Sequence, residues 1–152
     1  MAADAKDRPR EASEGDGSQA VWGRIEDFHR MMVGLLKELD TATDPARIRE
    51  VVDTLERGLP GHFEDEVGPG GLFEDLGSRR PASEPILEHL RKDHGEILEM
   101  VSALNRRLQE LDPADPRIQQ GRRAFLEKIR SHEQIENRLV RDTYMLDEGG
   151  LG

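Results

Sequence analysis

Apolar residues fall at steps of three and four in four separate stretches of this chain. That is the period of helices that each bury one stripe. From about Ser18 to Asp40 the stripe is Trp22, Ile25, Met32, Leu36 and Leu39, continuous once position 29 is counted. Asp44-Pro45 then supplies a capping residue followed by proline at the first helical position, and Ile48, Val52, Leu55 and Leu59 follow. A third stripe opens near Ser83-Glu84-Pro85 with Leu87, Leu90, Ile97, Val101, Leu104, Leu108 and Leu111. The fourth follows Asp115-Pro116 with Phe125, Ile129, Leu139 and Leu146. No alternating β-branched run competes with them. Short turns at 41–44 and 112–115 predict two antiparallel hairpins. The expected architecture is all-α, an up-down-up-down four-helix bundle over residues 19–148.

The joint between the hairpins is longer. Gly68-Pro69-Gly70-Gly71 leads into Leu72-Phe73-Glu74-Asp75-Leu76. The apolar residues of this group are expected to fold back on the bundle end, as a linker with a small anchor or as a lid. Pro60 removes one backbone hydrogen bond just before His62 and introduces a possible kink in the second helix. Residues 1–18 have no large aliphatic side chain after Met1 and are rich in charged and small residues. Nothing there offsets the entropy of ordering, and a disordered acidic tail is expected.

Composition narrows the function. A chain of 152 residues and 17.2 kDa suffices for one domain. Its 22 basic and 32 acidic residues give a net charge of −10, which argues against nucleic acid or an anionic membrane as the main partner. No apolar run approaches the ~20 residues of a membrane span, and the opening residues lack the apolar core of a secretory signal. The absence of cysteine excludes thiolate chemistry and sulfur-ligated zinc. A cytoplasmic domain is the expectation, with no protein partner indicated.

The gaps in the stripes carry the chemistry. Stepping along the first helix puts His29 on the seam, and along the third, His94. The second places His62 and Glu66 inward, and the fourth His132 and Glu136. The two hairpins match: His on one helix, His-x-x-x-Glu on the next, written twice with apolar residues at equivalent offsets. One such pair means little in a chain rich in glutamate, but two on matching seams do. An ionised carboxylate taken out of water costs several kcal/mol even after relaxation, and two without a cation repel. A metal turns these groups into ligands. Residues four apart share a helix face and can grip together. Two ions sharing Glu66 and Glu136, each with two histidines, fit the duplicated pattern, and such donors suit iron, manganese or zinc.

His89, with Asp93 four residues on, lies off its stripe and reads as a surface histidine. Glu64, Asp65 and Glu133 flank the pairs and are expected to face solvent or support the ligands. Glu26-x-x-His29 has the spacing used by ferritin-like di-iron proteins but occurs once on the seam.

His29, His62-Phe-Glu-Asp-Glu66, Asp93-His94 and His132-Glu-Gln-Ile-Glu136, from about residue 20 to 146, together resemble the hemerythrin-like (HHE cation-binding) family. The resemblance implies a four-helix bundle around an oxo- or hydroxo-bridged pair of irons, with His29, His62, Glu66, His94, His132 and Glu136 as ligands and both glutamates bridging. It also implies a small partner such as dioxygen, nitric oxide or peroxide. Two features depart from oxygen-carrying members. Leu90 stands where they have a further histidine, and Glu136 comes four residues after the last histidine rather than an aspartate five after it. The expected function is therefore a di-iron protein binding a small ligand. A peroxide- or nitric-oxide-consuming enzyme, an iron-buffering or storage protein and a metal-free structural bundle are the alternatives.

Overall fold

The computed structural model describes the backbone of residues 4–148 and the side chains of residue 17 and residues 19–145. The described residues form helices and turns with no strand. They are α1 (Asp4–Thr41), α2 (Pro45–Val67), the short α3 (Leu72–Arg79), a 3-10 turn (Pro81–Ser83), α4 (Glu84–Glu110) and α5 (Pro116–Glu148). None of these helices is long and apolar enough to cross a membrane.

Local chemistry sets the boundaries. Asp44 Oδ1 accepts from the Ala46 amide at 3.1 Å, and Asp115 Oδ1 accepts from the Arg117 amide at 2.9 Å, each holding the start of a helix that opens on proline. Such a cap stabilises by ~1 kcal/mol. Between α2 and α3 the backbone turns at Gly70, whose φ is 75°. A Cβ on Gly71 would stand 2.2 Å from the Asp65 carbonyl oxygen, so the turn requires glycine. Leu72, Phe73 and Leu76 are then buried, and the Leu-Phe-Glu-Asp-Leu group folds back as a helix of its own.

Each long helix packs on its chain neighbours, and α5 closes against α1, while α3 touches α2, α4 and α5. Arg47 pairs with Glu38 toward one end of α1 and α2, and Arg24 with Asp65 toward the other. At the far end of α1, buried Arg122 of α5 donates to the carbonyls of Leu39, Asp40 and Ala42. It satisfies acceptors that a helix C-terminus leaves open.

Two apolar clusters result. The larger includes Met32, Leu55, Phe63, Ile97, Phe125 and Ile129. The smaller joins Ile25, Phe73, Leu87, Leu90 and Leu139. Each fully buried side chain of this kind contributes ~1.5–3 kcal/mol.

Two features of the sequence bear on the helix limits. α1 spans Asp4–Thr41 and so runs back into the stretch expected as a disordered acidic tail at residues 1–18; residues 1–3 lie outside the described residues. Ala, Glu, Lys and Arg favour helix even where no apolar stripe exists, a term that a burial argument leaves out. α2 also continues through Pro60, which withdraws a donor from the Glu56 carbonyl without ending the helix. The side chain of Leu146, placed on the fourth stripe, lies outside the described residues.

Candidate metal centre

The helical period carries the six seam residues into one layer between the two clusters. Ile25 and Met32 bracket His29, Leu90 and Ile97 bracket His94, and Ile129 and Leu139 bracket His132 and Glu136, all of these apolar neighbours being buried. Glu66 Oε2 lies 3.3 Å from His29 Nε2 and 3.5 Å from His62 Nε2, while its Oε1 lies 3.3 Å from His94 Nε2. Glu136 divides its oxygens the same way: Oε1 is 3.4 Å from His29 Nε2 and Oε2 is 3.3 Å from His132 Nε2. Each carboxylate thus turns one oxygen toward His29 and the other toward the His94 and His132 side.

The layer is dry except at one edge. The side chains of Glu66 and His132 are 0% exposed, whereas His29 retains 25%. Aromatic rings wall the rest. Phe28 stacks on His62 at 4.4 Å between centroids, and Phe63 on His94 at 3.8 Å, with Phe73 of α3 at 5.4 Å from the His94 ring.

Burial and the charges of neighbouring groups shift these residues in different directions. Burial disfavours charge on His29, but the carboxylates of Glu136, Glu66 and Glu133 outweigh it and raise the pKa from the ordinary 6.5 to about 10. Burial lowers His62 to about 4 and His94 to about 3, helped by positive charge on His29 and His132 respectively. Burial, with Glu136 alongside, pushes Glu66 well above the usual carboxylate range. Glu136 goes the other way, because the imidazoles of His132 and His29 overcome its burial. Two like carboxylates in one dry site are expected to split in this manner.

His132 is oriented from behind. Its Nδ1 is 3.2 Å from Asp93 Oδ2, and Lys128 Nζ lies 2.7 Å from Asp93 Oδ1. Asp93, read from the sequence as off the stripe, is in fact buried between α4 and α5. His89 is exposed as expected, touching Asp93 only from outside at 3.6 Å. Glu64 and Glu26 face solvent, and Asp65 forms a two-point pair with Arg24 at 2.9 and 3.0 Å.

Glu133 is the residue that sequence reasoning left outside the centre. Its Oε2 lies 3.6 Å from His29 Nε2, with the side chain 16% exposed. Burial and the nearby Glu136 carboxylate raise its pKa to about 7. A signal existed: Arg122, Leu126, Ile129, Glu133, Glu136 and Val140 form a second three-and-four stripe on the same helix.

Whether these donors suit a cation can be judged from their unmet bonding. Buried polar atoms without a hydrogen-bond partner include the Nε2 atoms of His29, His62, His94 and His132 and both oxygens of Glu66 and Glu136. Buried polar groups are ordinarily satisfied. Their concentration in one layer, at mutual distances within 4.8 Å for Glu66, His94, His132 and Glu136 and again for His29, His62 and Glu66, is what a metal site requires.

Among known protein families, the chain matches the one described as Hemerythrin HHE cation binding domain over residues 21–142. No curated protein and no solved structure matches the chain.

Proposed function

Because the chain belongs to the hemerythrin HHE cation-binding domain family, we propose that it is a non-haem di-iron protein. Its up-down-up-down four-helix bundle would hold the ions, and their chemistry would be the binding of a small ligand: dioxygen, nitric oxide or peroxide. One observation carries the reading: Glu66 and Glu136 each present one oxygen beside His29 and the other beside His94 or His132. Carboxylates so placed can bridge two cations. His29 and His62 would hold one ion, and His94 and His132 the other, with Glu66 and Glu136 shared. Nitrogen and oxygen donors without sulfur suit iron, with manganese or zinc able to substitute.

When bound, the ion pair supplies Lewis acidity and electron transfer toward a small ligand. The chain's own residues do the rest. Asp93 fixes the His132 ring, Phe63 and Phe73 cover His94 and keep water from it, and the neighbouring apolar clusters seal the layer at both ends. A net charge of −10 favours a small molecule over nucleic acid or an anionic membrane as partner.

Metal analysis with an absorption spectrum of aerobically purified protein tests this reading. Two irons per chain with charge-transfer bands are expected; a single zinc, or protein indifferent to iron, would overturn it. Addition of hydrogen peroxide or nitric oxide then separates binding from turnover. A stoichiometric spectral change marks binding, and repeated consumption marks an enzyme.

A further inference from the structure

The internal repeat breaks at one informative position. Each His-x-x-x-Glu pair is followed at its second residue by a side chain that reaches the histidine of a neighbouring helix. After His132 that residue is Glu133, whose carboxylate lies 3.6 Å from His29 Nε2. After His62 it is Phe63, whose ring stacks on His94 at 3.8 Å and 7°. One half of the layer therefore gains a third carboxylate where the other half gains a phenyl wall.

Resting on the two-metal reading above, we propose that Glu133 is a further metal ligand. It gives the ion held by His29 and His62 five protein donors, leaves the ion at His94 and His132 with four, and so directs the small ligand to the latter. The grouping of donor atoms supports this. His29, Glu133 and Glu136 offer atoms within 4.8 Å of one another, whereas the cluster around His94 and His132 contains only Glu66 and Glu136 besides them. Glu133 Oε1 is buried and has no hydrogen-bond partner, and neither lysine nor arginine pairs with this carboxylate among the described ion pairs. A carboxylate so placed beside Glu136 is a poor choice for stability and a good one for a divalent or trivalent cation. On the opposite side, Phe63 and Phe73 leave the four-donor ion facing apolar rings that neither ligate nor hydrogen-bond.

The test uses the full chain and Glu133→Gln, which keeps the shape and removes the charge. Anaerobic calorimetric titration with ferrous iron is expected to show two ions in the unaltered protein. In Glu133→Gln one of them is weakened at least ~10-fold and the other is unchanged. Azide titrated into the oxidised proteins is expected to bind with one equivalent per chain in the unaltered protein and two in the variant, where the lost carboxylate opens a position. Melting of the metal-free variant should be no lower than that of the parent. Uptake of both ions with parental affinity by Glu133→Gln, or one azide as in the parent, overturns the assignment while leaving the two-metal reading intact. A lowered metal-free melting temperature also overturns it, by making Glu133 a structural residue. Fewer than two ions in the parent would remove the two-metal reading and the assignment together.

Discussion

His132 on α5 donates its Nδ1–H to Asp93 on α4 at 3.2 Å. The direction follows from charge. Burial would raise the Asp93 pKa, but Lys128 and His132 hold it below the usual carboxylate range, so it can only accept. With Nδ1 engaged by Asp93, Nε2 is the atom left to face the layer, where Glu136 Oε2 lies 3.3 Å away. Asp93→Asn offers an amide that can donate instead and loses the charge. It should weaken one of the two proposed ions by ~10–100-fold in a competitive chelator titration without unfolding the metal-free chain. Parental affinity in this variant would show that the contact does not orient the ring.

His62→Ala and Glu136→Ala each remove a side chain that is at most 1% exposed and is proposed to ligate. Both should abolish binding of at least one ion and remove the rise in melting temperature that metal produces. His89→Ala, at a side chain 57% exposed, should leave metal content and melting within ~0.5 kcal/mol of the parent. Equal losses from His89→Ala and His62→Ala would place the centre elsewhere.

In the metal-free protein the shifted groups set opposing slopes. His29, raised to about 10, contributes stability that is complete below its unfolded value of 6.5 and lost as pH rises through 10. Glu133, raised to about 7, adds to the same decline between its ordinary 4.5 and 7, since it prefers to be neutral. His62 and His94, depressed to about 4 and 3, act on the other limb: their unfolded forms take up protons as pH falls below 6.5, and stability falls with it. Urea unfolding of chelator-treated protein should thus decline from pH 6.5 toward 10. Metal stabilisation should grow over the lower part of that range, because ligands must shed protons to bind. Stability of the metal-free chain that climbs steadily to pH 9 would contradict this balance of charges.

Phe73 is 1% exposed and lies against His94 from α3. Phe73→Ala should cost ~3–5 kcal/mol in unfolding experiments. It should also open the His94 side to water, seen as faster release of metal to a chelator. Release at the parental rate would show that α3 is an anchor and does not cover the centre.

The helices were legible because burial imposes a period that survives in the residue order. Met32, Leu55, Ile97 and Ile129 lie in the core where their stripes put them, and the six seam residues meet in one layer. Asp93 and Glu133 were harder to read. Both adjoin seam histidines, and whether such a neighbour turns inward depends on which helix packs beside it. Lys128 draws Asp93 into the α4–α5 contact, and His29 on α1 receives Glu133. Partners so distant in the chain leave little local trace, the second stripe through Glu133 on α5 being the exception. The helix α3 was hidden for another reason: its glycine-rich lead-in reads as loop, and its burial depends on the bundle end that receives it.

The polar layer has an apolar cluster on either side of it, so each half of the bundle carries greasy contacts of its own that owe nothing to a metal. His29, a quarter open, is the most accessible of the proposed ligands, so an arriving ion would meet that imidazole and the neighbouring Glu133 first.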